Sequence, residues 1–177
     1  MRPVCRGPWP IGNDGCRESF QHYRHAKRPL SERIGDYCSY CERTGDLHVE
    51  HVIPQSVADE LKTDWANFLL ACTNCNSTKR DHNQSREGYL WPDQDDTFSA
   101  FSYQSGGRVS VADGLEPGEH RRADALFKLV GLGASDTHSN RRRHKRRRAW
   151  DKAIELQGKV KGIIYLTTHR TIGSGYE

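Results

Sequence analysis

Cys38-Ser39-Tyr40-Cys41, then Val49-Glu50-His51-Val52-Ile53-Pro54, then Asn67-Phe68-Leu69-Leu70-Ala71-Cys72-Thr73-Asn74-Cys75-Asn76-Ser77-Thr78-Lys79: these three runs decide the fold. The two Cys-x-x-Cys pairs, Cys38/Cys41 and Cys72/Cys75, have thirty residues between them. Four thiolates at such spacing can close a tetrahedral Zn2+ site. Four sulfur ligands leave zinc no open position, so this site is structural and staples the segment it encloses. The competing reading is a redox pair, which calls for one Cys-x-x-Cys in a βαβ setting and not two bracketing a segment.

Between and beside the pairs lie an acid, a histidine and two amides: Glu50, His51, Asn67 and Asn76. Taking a proton from water near neutral pH needs a base such as histidine. A hard cation such as Mg2+ takes oxygen ligands and keeps several waters, so one carboxylate and one amide suffice to hold it. Such a cation offsets charge that develops on a phosphate and its leaving oxygen. His48 shares a strand face with Glu50 and reads as a surface or supporting residue. His82, six positions beyond Asn76, points elsewhere on a helix and is a weak third ligand. Lys79 and Arg80 read as phosphate contacts, with a solvated helix face as the alternative.

Residues 36–83 resemble the HNH endonuclease family, with several spaced elements agreeing at once. The resemblance implies a ββα-metal finger, two strands and a helix around one divalent cation, Mg2+ or Mn2+. It implies that Glu50 and Asn76 bind that cation, that His51 is the general base, and that Asn67 holds His51 through a backbone contact. Many members carry Asp where Glu50 stands. Further along, Arg6-Gly7-Pro8-Trp9-Pro10 and Tyr89-Leu90-Trp91-Pro92-Asp93 join the finger in resembling the HNH subunit of Septu-type antiphage systems, the PtuB-like branch. That implies an ABC/SMC-like ATPase partner of the PtuA type.

The chain has 177 residues, 34% hydrophobic and 28% charged, with a net charge of +4. A modest core of this kind is helped by a metal staple. The positive charge concentrates in Arg141-Arg142-Arg143-His144-Lys145-Arg146-Arg147-Arg148, which points to nucleic acid or an acidic partner surface more than to a membrane. No stretch approaches the length of an apolar membrane span. Six cysteines could form a secreted disulfide scaffold, but the opening Met1-Arg2-Pro3 is not an apolar signal and paired Cys-x-x-Cys favours reduced thiolates in a cytoplasm. Cys5 and Cys16 are left as free thiols near surface loops.

The expected architecture is α+β: residues 1–35 an N-terminal loop and helix segment, 36–95 the zinc-stapled nuclease core, 96–177 a hairpin and a basic helical extension. Residues 19–34 read as helical and interrupted at Pro29, with Ser31 able to cap a short helix ending at Gly35. Residues 47–53 read as a strand pair stopped by Pro54, and residues 57–61 as a short helix or turn. A short helix starts at Thr73. A hairpin joins 98–103 to 107–111 through Ser105-Gly106-Gly107. An amphipathic helix covers 119–130, a second helix capped by Asn140 covers 141–157 with apolar residues only late in it, and the end from Ile163 is strand-like and then frayed. The activity these features imply is metal-dependent phosphodiester hydrolysis, of DNA before RNA. The rivals are a catalytically silent zinc-ribbon binding module and a scaffold or inhibitor subunit of an ATPase complex.

Overall fold

The computed structural model describes residues 1–137 and 141–170, with residues 162–170 as backbone alone. Asn140, the expected helix cap, and residues 171–177 lie outside the described residues. The fold is α+β, and its centre is the segment between the cysteine pairs. Cys38 to Cys41 make a tight turn, closed by the Glu42 amide donating to the Cys38 carbonyl and the Cys38 amide donating to the Arg43 carbonyl, both at 2.9 Å. Strand β1, Leu47–His51, pairs antiparallel with β2, Phe68–Cys72, placing His51 opposite Phe68 and Leu47 opposite Cys72. Helix α1 is Lys27–Ile34, and β2 leads directly into α2, Thr73–Lys79. Cys72 thus ends a strand and Cys75 sits in the first turn of a helix.

Both strands of the pair were expected within 47–53, but only β1 lies there. Its partner β2 is buried at all five positions. A strand covered on both faces shows no polar alternation, so its pattern is that of any buried apolar run. Pro29 does not interrupt α1 either. It is the third residue of that helix, where its missing N–H has no intrahelical acceptor to lose. Ser31 lies inside α1, and its carbonyl accepts from Gly35, whose φ of 91° ends the helix. A 3-10 turn, Tyr23–Ala26, precedes α1, and another, Asp59–Leu61, fills the expected short helix.

The N-terminal residues pack onto this finger. The Arg6 guanidinium donates to the Phe68 carbonyl at 3.0 Å and to Asp93 at 2.6 Å, while Arg86 reaches the same Asp93 carboxylate at 3.0 Å. A buried acid held by two arginines fixes the chain on both sides of β2. Helix α3, Thr97–Ala100, is one turn capped by Asp96, which replaces the expected start of a strand at residue 98. Strands β3, Phe101–Gln104, and β4, Arg108–Val111, flank the turn at Ser105–Gly107. Helix α4, Pro117–Leu129, buries Ala123, Leu126 and Leu129, three residues apart on one face.

The chain divides into two compact units, Met1–Tyr103 with Val109–Ser135, and Gln104–Arg108 with Asp136–Glu177. In the second unit helix α5 runs Arg142–Arg170, so residues 163–170 are helical and not the strand expected there. A short β-branched run such as Ile163-Ile164 follows the helix it is attached to, because extending a helix is easier than starting a strand without a partner. The hairpin tip packs against the start of α5, where a Cβ on Gly107 would lie 2.6 Å from the Arg147 amide nitrogen. Among the described residues no helix is long and apolar enough to cross a membrane.

Candidate functional site

The four paired cysteines gather with their sulfurs all within 4.8 Å of one another, and all four are buried. The Cys41 and Cys72 sulfurs are 3.7 Å apart. A tetrahedron of thiolates around zinc has an edge of about 3.8 Å, from metal–sulfur bonds of about 2.3 Å, whereas a disulfide bond is about 2.05 Å. Contacts within the cluster raise the Cys38 thiol and lower the Cys72 thiol far from the ordinary range, so the four do not behave as independent thiols. Donor set and spacing fit Zn2+. Cys5 and Cys16 are free and exposed.

His51 closes β1 and is 8% exposed. Its Nε2 lies 2.9 Å from the Lys62 carbonyl oxygen. A carbonyl only accepts, so Nε2 carries the hydrogen and Nδ1 keeps a lone pair. The Gln55 side-chain amide stands 3.2 Å from that Nδ1. The rings of Tyr23 and Phe68 meet the imidazole edge-on, at centroid distances of 4.8 and 5.2 Å. Burial lowers the His51 pKa below its usual value, against the pull of the Lys62 carbonyl, so the ring is neutral at pH 7.

Asn67 secures the chain just beyond His51. Its Oδ1 accepts from the Ile53 amide at 2.8 Å, its Nδ2 donates to the Ile53 carbonyl at 2.9 Å, and its own carbonyl accepts from the Val52 amide at 2.8 Å. The side chain continues the β1–β2 ladder by one more pair, and its hold on the histidine runs through this backbone.

Glu50 and Lys79 depart from the expectations. Glu50 is 2% exposed and Lys79 1%. The Lys79 Nζ lies 2.7 Å from Glu50 Oε1 and donates to the His51 carbonyl at 2.8 Å, while the Tyr40 hydroxyl donates to Glu50 Oε2 at 2.6 Å. Burial pushes the Glu50 carboxyl above its usual range, opposed by the Lys79 charge and the two hydrogen bonds. Lys79 is therefore a buried clamp and does not reach a phosphate. Glu50 has both oxygens engaged inside the core, and Asn76 stands on the wall of a groove that Glu50 does not line. As folded, this pair does not fit as an open cation site.

That groove, about 770 Å³, lies between the N-terminal segment, β1 and α2, and is lined by Tyr23, Arg24, Lys27, His48, Val49, Asn76 and Arg80 among others. Val49 and His51 alternate along one strand and share a face, and Tyr23 both lines the groove and touches the His51 ring. His48 is exposed, 3.3 Å from the Thr73 hydroxyl and 3.2 Å from Asp46. His82 is exposed and is not part of the groove wall.

The arginine run is divided by the fold. Arg142 is buried, and the Nε atoms of Arg143 and Arg146 donate to the Gly106 and Gly107 carbonyls at 3.3 and 3.0 Å. Arg147 sits beside His144, and Arg141, Lys145 and Arg148 are exposed. Buried Arg142 is thus not placed to meet a phosphate. Tyr23, Tyr40, Gln55 and the Lys62 carbonyl surround the site without having been singled out in the sequence. Tyr40 carries the one legible hint, an aromatic lodged between two metal-spaced cysteines.

A family model described as HNH endonuclease matches residues 38–82, from the first paired cysteine to just beyond α2. The Septu protein PtuB of Bacillus thuringiensis is 32% identical over 76 residues, covering 40% of this chain and 30% of that relative. The matched part of the chain thus spans under a third of the relative's length.

Proposed function

We propose that this chain is a nuclease that hydrolyses phosphodiester bonds, in DNA before RNA, with His51 as general base. The observation that carries the reading is the His51 environment: a neutral imidazole whose tautomer is set by the Lys62 carbonyl, leaving Nδ1 to accept a proton. In the proposed step Nδ1 takes a proton from water as its oxygen bonds to phosphorus. The bond from phosphorus to the departing sugar oxygen breaks, and that oxygen is protonated from solvent. Tyr23 and Phe68 shield the ring from bulk water, and Asn67 fixes the backbone that follows it. Gln55, which is exposed, must turn aside for the water to reach Nδ1.

The cysteine cluster would hold one structural Zn2+, its four sulfurs filling the metal's positions. Dependence on Mg2+ or Mn2+ belongs to the proposal through the resemblance alone, with Asn76 as the one expected ligand that faces the groove. The similarity to a Septu protein extends the reading to an effector of antiphage defence that works with an ATPase partner, in a cytoplasm where the thiolates stay reduced. The buried Glu50–Lys79 pair favours a second reading, a silent zinc-stapled module that binds nucleic acid without cutting it. Purified wild-type and His51→Ala chains, incubated with plasmid DNA and with total RNA under Mg2+, Mn2+ or EDTA, separate the two. The proposal expects cation-dependent cutting by wild type alone, with unchanged zinc content in the variant. Cutting by His51→Ala at the wild-type rate removes the base assignment, and binding without cutting in every condition installs the silent module.

A further inference from the structure

The cations of this protein fall into two kinds. Arg6, Arg86, Arg122, Lys62, Lys79 and Lys128 each have an acidic partner within 4.0 Å. Arg24, Lys27 and Arg80 have none among the described residues, and all three are exposed on the walls of one groove. Among the described residues no carboxylate lines that groove, and Asp46 comes near it by touching His48. Cations without an acidic partner converging on a concave wall create a positive potential there.

Arg24 and Lys27 lie outside the segment that the HNH family model matches. They are three residues apart, across the junction from the 3-10 turn at Tyr23–Ala26 into α1, and so share a face. Arg80 stands opposite, on the first residue past α2, at a φ of 47° that turns the chain away from the helix. Its Nε is held by the Ser77 carbonyl at 3.0 Å, which leaves the two terminal guanidinium nitrogens for a ligand. Tyr23 connects this wall to the histidine, since its ring lines the groove and also packs on His51. A polyanion lying in the groove would meet a cation on each side and pass within one aromatic ring of the proposed base.

We propose that Arg24 and Lys27, facing Arg80 across this groove, form the track for the sugar-phosphate backbone of duplex DNA, so that the N-terminal segment supplies half of the substrate surface. This rests on the nuclease reading above and adds to it which residues outside the finger hold the substrate. Each cation that replaces a counterion on duplex DNA contributes about 0.9 to the slope of log affinity against log salt. Losing two such contacts lowers the slope by about 1.8, so that affinity falls about 12-fold less between 50 and 200 mM salt.

The test measures binding of labelled duplex DNA across that salt range by the His51→Ala chain, which keeps the substrate uncut. Arg24→Gln with Lys27→Gln is compared with Arg17→Gln with Arg121→Gln, an equal charge loss at exposed positions away from the groove. Zinc content and thermal melting confirm that each chain is folded, and the single Lys27→Met change is the fallback should the groove pair misfold. The proposal expects the slope to fall by about 1.8 for the groove pair and to stay near the parent value for the distant pair. An unchanged slope, or equal falls in both pairs, overturns the track while leaving the nuclease reading intact. A duplex RNA arm that loses its slope when the DNA arm does not overturns the choice of DNA. A parent chain that binds neither nucleic acid at low salt, together with wild type that cuts neither, overturns both the track and the function it rests on.

Discussion

At the scale of single residues, His51 depends on groups that have no signature in the sequence. Its tautomer is set by the Lys62 carbonyl, an atom that every residue carries, and the identity of residue 62 therefore said nothing about it. The histidine itself was legible, as the base candidate between two metal-spaced cysteine pairs. Its environment makes a prediction about pH. Burial lowers the His51 pKa from the usual value of about 6.5. A general base works only unprotonated, so cleavage holds steady as pH falls through 6.5 and declines only below it. A pH–rate profile of kcat/KM measures the limb, and an acidic limb at or above 6.5 would contradict the buried, neutral base. Stability follows the same sign. The unfolded chain takes up the proton first as pH falls, so the contribution of the neutral His51 is present above 6.5 and is lost on the way down to its folded pKa. Asn67 was equally legible as a residue and less so as a device, because a side chain that extends a strand ladder cannot be told in sequence from one that binds a ligand.

At the scale of elements, α2 starts at Thr73 as expected, but the face carrying Lys79 turns inward and not toward solvent. Cys75 and Lys79 are four apart, so a helix that buries the first turns the second into the same core. That spacing was visible, and the usual exposure of lysine argued the other way. What decided it is an acid on β1, Glu50, with Tyr40 from the cysteine turn completing its hydrogen bonds. The three residues come from the turn, the strand and the helix, so they join the same elements that the cysteines join. Removing one member of a buried pair strands the other charge, at a cost of about 3–5 kcal/mol. We therefore expect Lys79→Met and Glu50→Gln each to lower stability by that order, and the double variant to lose clearly less than the sum of the two. Urea unfolding of the four zinc-loaded chains measures this cycle, and simple additivity would mean that the pair is not coupled. Strand β2 shows the other limit of legibility. Its five buried positions gave composition without period, and only its pairing with β1 identifies it as a strand. The hairpin at β3 and β4 was readable because Gly106 and Gly107 adopt the positive φ values, 72° and 71°, that a tight turn demands.

At the scale of the whole molecule, the net charge of +4 conceals an uneven distribution, and the arginine run at the start of α5 is its densest part. In sequence the run is eight nearly equivalent basic positions. In the second unit they separate, because the helix turns Arg143 and Arg146 toward the carbonyls of Gly106 and Gly107 and buries Arg142. Arg143 and Arg146 hold a glycine turn whose close approach to the helix admits no side chain at Gly107. Arg141, Lys145 and Arg148 remain exposed, and the electrostatic role proposed for the run falls to them. Replacing Arg143 and Arg146 by Gln should loosen the hairpin tip, seen as faster amide exchange at residues 104–108, with a smaller effect on binding. Replacing Arg141, Lys145 and Arg148 by Gln should leave that exchange unchanged and flatten the salt dependence of DNA binding, by up to about 2.7 in log–log slope if each meets a phosphate. Cleavage at saturating DNA should change little, since these positions belong to a different compact unit from His51. A slope that stays fixed after the exposed triple change would assign this end of the helix to a protein partner, and co-purification of an ATPase by the parent chain but not by the variant would identify that partner as the one proposed above.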